Sequence, residues 1–153
     1  MSGVALSASL GETVFGPLLS ARLTGLLDPG RAAEMAARLP PPFLADVAVE
    51  LDPRRAADVI VQLAPEQVAS ITAELVRRGE YVTMGRFAGY LSDAGIAGAL
   101  SAMDDVALRE VVFVLEQPER LLAQLTPERA AALRAAQARP AAARAGGRRR
   151  ARG

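Results

Sequence analysis

Proline returns every twelve residues along the first half of this chain, at Pro17, Pro29, Pro41, Pro53 and Pro65. A hydrophobic residue stands two places before each one: Phe15, Leu27, Leu39, Leu51 and Leu63. Self-similarity at a fixed period is the signature of a repeat architecture, in which each unit buries its face on its neighbours. In the unit Leu51–Gln62, Asp52 is a helix N-cap residue whose carboxylate can accept from free backbone N–H groups. Pro53 follows at the first helical position, where a missing N–H costs nothing and φ is already set. The unit at Leu27 opens in the same way, with Asp28 and Pro29. Each unit therefore reads as one helix of about eight to ten residues, roughly 12–15 Å long.

The apolar residues share this register. Counting from the leading hydrophobic residue, places 5, 8, 9 and 12 form one helical stripe, because spacings of three and four meet on one face. The stripe reads Leu44, Val47, Ala48, Leu51, then Ala56, Val59, Ile60, Leu63, then Val68, Ile71, Thr72, Leu75. Four residues, Val76 to Gly79, are inserted there. The stripe resumes as Met84, Phe87, Ala88, Leu91, then Ile96, Ala99, Leu100, Met103, then Leu108, Val111, Val112, Leu115. Eight units thus run from Phe15 to Leu115, as four helical hairpins of twenty-four residues. The first unit has the poorer stripe of an end cap: Ser20, Leu23, Thr24 and Leu27. A degenerate ending follows at Leu121, Leu122 and Leu125, and Thr126-Pro127-Glu128 opens a last helix. The expected fold is an all-α, right-handed superhelical solenoid of short helices. An ordinary helical bundle is the alternative. The expected organisation is a disordered lead-in over 1–13, a helical-repeat domain over 14–138 and a disordered arginine-rich tail over 139–153.

Composition narrows the chemistry. Cysteine, histidine and tryptophan are absent, and all 18 basic residues are arginine. The usual nucleophiles, general bases and Schiff-base formers are therefore missing, and no Gly-rich phosphate loop or metal motif is present. The chain reads as a non-enzyme. No uncharged stretch approaches the eighteen or so residues that span a bilayer, so a cytoplasmic location is expected. The net charge of +1 hides an asymmetry. Residues 139–153 carry six arginines and no acid, whereas the rest carries twelve arginines and seventeen acids, a balance of −5.

The openings Leu27–Glu34 and Leu51–Asp58 read Leu-Asp-Pro-x-Arg-Ala-Ala-(Glu/Asp), and they alternate with Leu39–Pro41 and Leu63–Pro65. This pattern resembles the cytosolic N-terminal domain of MgtE-type magnesium transporters, and in style the helical repeats of FliG-type motor-switch proteins. The resemblance covers roughly residues 15–133. It implies a right-handed superhelix of short helices and, in the transporter, a part in sensing intracellular Mg²⁺ through acidic interfaces. The regulatory and membrane parts of such a transporter are not in this chain. The resemblance therefore implies a free-standing sensor or scaffold module, and it carries over no individual Mg²⁺ ligand.

Three features are candidates for function. Place 7 of successive units is acidic at Glu34, Asp46 and Asp58, and again at Glu110. Equivalent places in stacked helices can line one surface, and Mg²⁺ takes oxygen ligands; a solvated face with local ion pairs such as Glu74–Arg78 is the alternative. The break in the repeat, Arg77 to Tyr90, holds both tyrosines. Tyr81, Arg86 and Tyr90 are of the types enriched in interface anchors, with a longer helix packing its own aromatics as the alternative. Gly79 is a helix C-cap candidate, and Gly85 and Gly89 would let a neighbouring helix approach closely. Finally, Arg144, Arg148, Arg149, Arg150 and Arg152 form a tail able to contact phosphates or another anionic partner. The function these features point to is a protein-interaction or scaffold module. A Mg²⁺-responsive regulatory domain and a nucleic-acid-associated protein working through its tail are the alternatives, and no cofactor other than Mg²⁺ is implied.

Overall fold

Strong local signals for helix starts pass directly into an all-α architecture. The computed structural model describes residues 28–138. The unit at Phe15, the lead-in over 1–13 and the arginines of the 139–153 tail lie outside the described residues. Among the described residues nine α-helices follow one another: α1 Pro29–Ala36, α2 Pro41–Glu50, α3 Ala57–Ile60, α4 Pro65–Arg78, α5 Tyr81–Ala88, α6 Asp93–Ser101, α7 Asp105–Val114, α8 Glu119–Leu122 and α9 Pro127–Gln137. A 3₁₀ turn, Pro53–Ala56, leads into α3. No strand occurs among the described residues.

Capping chemistry explains where the helices begin. The Asp28 carboxylate accepts from the Arg31 backbone N–H at 3.2 Å. Ser92 accepts from Gly95 at 3.0 Å, Asp104 from Ala107 at 2.8 Å and Thr126 from Arg129 at 3.3 Å. Each satisfies one of the donors that a helix leaves free in its first turn. α2 and α4 lack a side-chain cap and rely on Pro41 and Pro65 at the first helical position. The Leu51 unit departs from the single helix expected of it. Asp52 accepts from Arg54 only two residues on, at 3.1 Å, and the chain takes a tight 3₁₀ turn before α3.

The four inserted residues lengthen α4 by about one turn, to 14 residues. Its end is a Schellman motif: the Glu80 N–H donates to Leu75 O at 2.9 Å and the Gly79 N–H to Val76 O at 3.0 Å. Gly79 takes a left-handed φ of 72°, the conformation that makes glycine the residue for this place.

The stripe is the core. Of its 24 residues between Leu44 and Leu115, none is exposed. The main cluster joins Val68 and Leu75 of α4, Met84 of α5, Ile96 and Leu100 of α6 and Leu108 and Val111 of α7, closed by Leu121 and Leu133. Helices pack chiefly on the helix two further along: α1 on α3, α2 on α4, α4 on α6, α5 on α7 and α7 on α9. Two glycines mark close approaches. A Cβ at Gly85 would stand 2.8 Å from Val114 Cγ2, and one at Gly98 would stand 2.2 Å from the Pro65 carbonyl oxygen. Gly89 faces open space, so of the two glycines expected to admit a neighbour only Gly85 does so.

The same packing exposes a column that hydrophobic periodicity passes over. Place 6 of successive units is Ala33, Ala45, Ala57, Ala69, Gly85 and Ala97. Ala33, Ala45, Ala69 and Gly85 lie on helices that pack against the second helix following. Ala45 is fully buried. Small side chains are what such close backbone approach requires.

Candidate functional site

Alternate packing decides which candidate residues meet. The acidic row is divided by it. Glu34 on α1 and Asp58 on α3 belong to one packed pair, whereas Asp46 on α2 faces α4. There the Arg78 guanidinium bridges Asp46 and Glu74, and it also donates to Pro42 O at 3.0 Å. Glu34 and Asp58 thus lie on one packed pair of helices and Asp46 on another. Among the described residues no three acidic side chains gather into a group that could hold a metal ion. Among the described residues Glu74 is the most perturbed carboxylate. Hydrogen bonds from Arg77, then from Arg78, lower its pKa to about 2.

Of the three anchor candidates, Arg86 and Tyr90 line one cleft and Tyr81 does not. Tyr81 is half-buried and packs against the main core. Arg86 crosses to the C-terminal end of α2, where it donates to Leu51 O at 2.8 Å and Val49 O at 3.4 Å. Carbonyls at a helix C-terminus lack intrahelical donors and carry partial negative charge, so a guanidinium suits them. Arg86 and Tyr90 then share an open polar cleft of about 470 Å³ with Glu50, Asp52, Pro53 and Arg54. Arg54 closes one wall, held by Asp52 at 3.1 Å. Its side-chain hydrogen bonds are the main cause of the lowered Asp52 pKa, followed by its backbone N–H.

Arg86 is one of several arginines with this office. Arg120 donates to Leu91 O at 3.0 Å and Asp93 at 2.8 Å. Arg129 donates to Leu100 O at 2.9 Å and Met103 O at 2.7 Å. The planar, multi-donor guanidinium ties chain ends that lie far apart in sequence, which a point-charge ammonium does less well.

Two further surfaces stand out. The first is an apolar groove of about 120 Å³ running along the stripe, with walls that include Ala36, Val47, Val59, Ile71, Phe87 and Leu91. Gln67 is its polar exception: its Nε2 is buried with no hydrogen-bond partner among the described residues. The second is the flank of α5 and α7. Phe113 is 87% exposed, and Val82, Val106 and Val114 are exposed with it. Val106 and Phe113 are seven apart on α7 and so share a face. Val114 reaches Gly85, one turn from Val82. These residues occupy places 3, 10 and 11 of their units. Apolar residues off the stripe were the signal available in the sequence.

The chain matches no protein-family model, no curated protein and no solved structure. Among the described residues no helix is long and apolar enough to cross a membrane.

Proposed function

We propose that this chain is a non-enzymatic protein-interaction or scaffold module built on a right-handed superhelical stack of twelve-residue units. Supporting the stack are helices that begin at residues 29, 41, 53 and 65, and then at 81, 93 and 105; those beginning at 29, 41, 65, 81 and 105 pack on the second helix following. The motif resemblance to the N-terminal domain of MgtE-type transporters supports the same architecture. The observation that carries the interaction role is Phe113, one of four phenylalanines in a chain with 4% aromatics, left 87% exposed on the helix that also exposes Val106 and Val114. Contiguous exposed apolar patches mark interaction sites, and aromatic side chains are enriched in interface cores. The partner would present an apolar surface to the α5–α7 flank.

The test is a pull-down from source-cell lysate with nuclease present, comparing the full chain, residues 1–138 and Phe113→Asp. A stoichiometric protein held by the first two and lost from the third supports the reading. A captured protein indifferent to Phe113→Asp, or capture that vanishes with the tail or with nuclease, sinks it. Loss with the tail would move the function to Arg144, Arg148, Arg149, Arg150 and Arg152.

A further inference from the structure

We infer that the Phe113 flank pairs with a second copy of this chain, the two α7 helices lying side by side in the same direction about a twofold axis. This rests on the reading of that flank as an interaction surface and names its partner. α7 buries Ala107, Leu108, Val111 and Val112 on one face. At about 100° per residue, Val106 and Phe113 fall opposite the middle of that face. They form a ridge pointing away from the core, 56% and 87% exposed and about 10 Å apart along the axis. Neighbouring helices flank this ridge without covering it. On one side Val114 lies against Gly85 of α5. On the other, Arg129 of α9 reaches Asp105 at 3.4 Å. There Ala132 and Ala136 of α9 line a pocket of about 90 Å³ with Val106 and Arg109. The pocket gives a side chain of a second ridge a hole to enter, which is how helices pack.

Charge decides the partner and its direction. Arg109 and Glu110 stand on opposite sides of the ridge, each about 50° from it and midway between Val106 and Phe113. Their side chains are 45% and 46% exposed, and at 4.0 Å they are too far apart to hydrogen-bond to each other. A twofold axis running along α7 sets Arg109 of each copy beside Glu110 of the other. It also joins Val106 to Val106 and Phe113 to Phe113, so apolar residues meet along the centre. An antiparallel pair would set Arg109 against Arg109 and Glu110 against Glu110, and like charges oppose it. The ridge thus carries, on its own two sides, the charges that a copy running in the same direction requires. Three short helices make a contact at the lower edge of the area that holds a stable dimer, so pairing is expected at micromolar concentrations.

Sedimentation velocity of the full chain from about 5 to 500 µM tests the pairing. The expected result is a monomer–dimer equilibrium that Phe113→Asp abolishes. Arg109→Glu and Glu110→Arg should each weaken it about tenfold or more, because each sets like charges together. An equimolar mixture of these two variants should recover the parent's affinity to within about threefold, since opposite charges face each other again in the mixed pair. A parent chain that stays monomeric at about 500 µM overturns the inference and leaves the flank to a different protein, which the lysate pull-down decides separately. A dimer indifferent to Phe113→Asp overturns it as well. Single charge variants that pair as tightly as the parent, or a mixture no tighter than its components, overturn the parallel direction.

Discussion

Gly98 should be the least replaceable residue of its size in this protein. An alanine Cβ there would lie 2.2 Å from Pro65 O, 2.9 Å from Pro65 C and 3.0 Å from Pro65 Cα. Carbon–oxygen contacts settle near 3.3 Å at closest, so the two helices must part by about 1 Å. The obstacle is backbone at the first turn of α4, and no rotamer can relieve it. A gap of that size forfeits a quarter to a half of each contact across the interface. With on the order of 50 atom pairs at about 0.15 kcal/mol, the loss is roughly 2–4 kcal/mol. Alanine returns up to about 1 kcal/mol through its better helix propensity. Gly98→Ala should therefore destabilise by about 1–3 kcal/mol, lowering the melting temperature by roughly 5–15 °C. Thermal unfolding by circular dichroism measures it, with Gly89→Ala as the control, since that site opens on empty space. A Gly98→Ala protein that melts as high as Gly89→Ala would show that α4 and α6 do not approach as described.

Four further outcomes are expected. Gly79→Ala should cost about 1 kcal/mol by denaturant unfolding, from the left-handed φ of 72° alone, because no atom obstructs its Cβ. Arg129→Ala should cost about 2 kcal/mol in the same assay, since Leu100 O and Met103 O lose a charged donor, and Arg129→Lys should recover only part of it. Stability should fall on acidification between the ordinary glutamate range, near pH 4.3, and about pH 2, where Glu74 gains its proton in the fold. A lowered folded pKa stabilises above the unfolded value and is lost below it, so Glu74→Gln should flatten urea midpoints measured across that window. Phe113→Asp should leave the melting temperature within a degree or so of the parent, because an 87% exposed ring contributes little to folding; a large fall would place the ring in the core.

Much of the fold was legible because its signals are local. An aspartate before a proline starts a helix through its own carboxylate and a fixed φ, as Asp28 and Pro29 do in α1. Apolar residues at spacings of three and four define one face wherever that face is finally buried, and no stripe residue from Leu44 to Leu115 is exposed. Gly79 ends α4 for a reason contained in its missing Cβ. The site was much less legible. Place 7 reads as one acidic row along the chain, yet the structure pairs one of its members, Asp46, with Arg78 from a helix 32 residues on. Arg86 has the composition of an interface anchor, but its partners are carbonyls 35 and 37 residues away.

The sequence by itself determined the helices, their spacing, their buried stripe and the catalytic groups that are missing, because each follows from residues within a turn or two of one another. Only the tertiary structure decided which helices touch, which arginine is bound to which chain end, and that Gly98 and Gly85 are points of close approach. It also decided that Phe113 and its neighbouring valines remain at the surface. Those outcomes depend on contacts between residues tens of positions apart, and no local periodicity encodes the partner of a face.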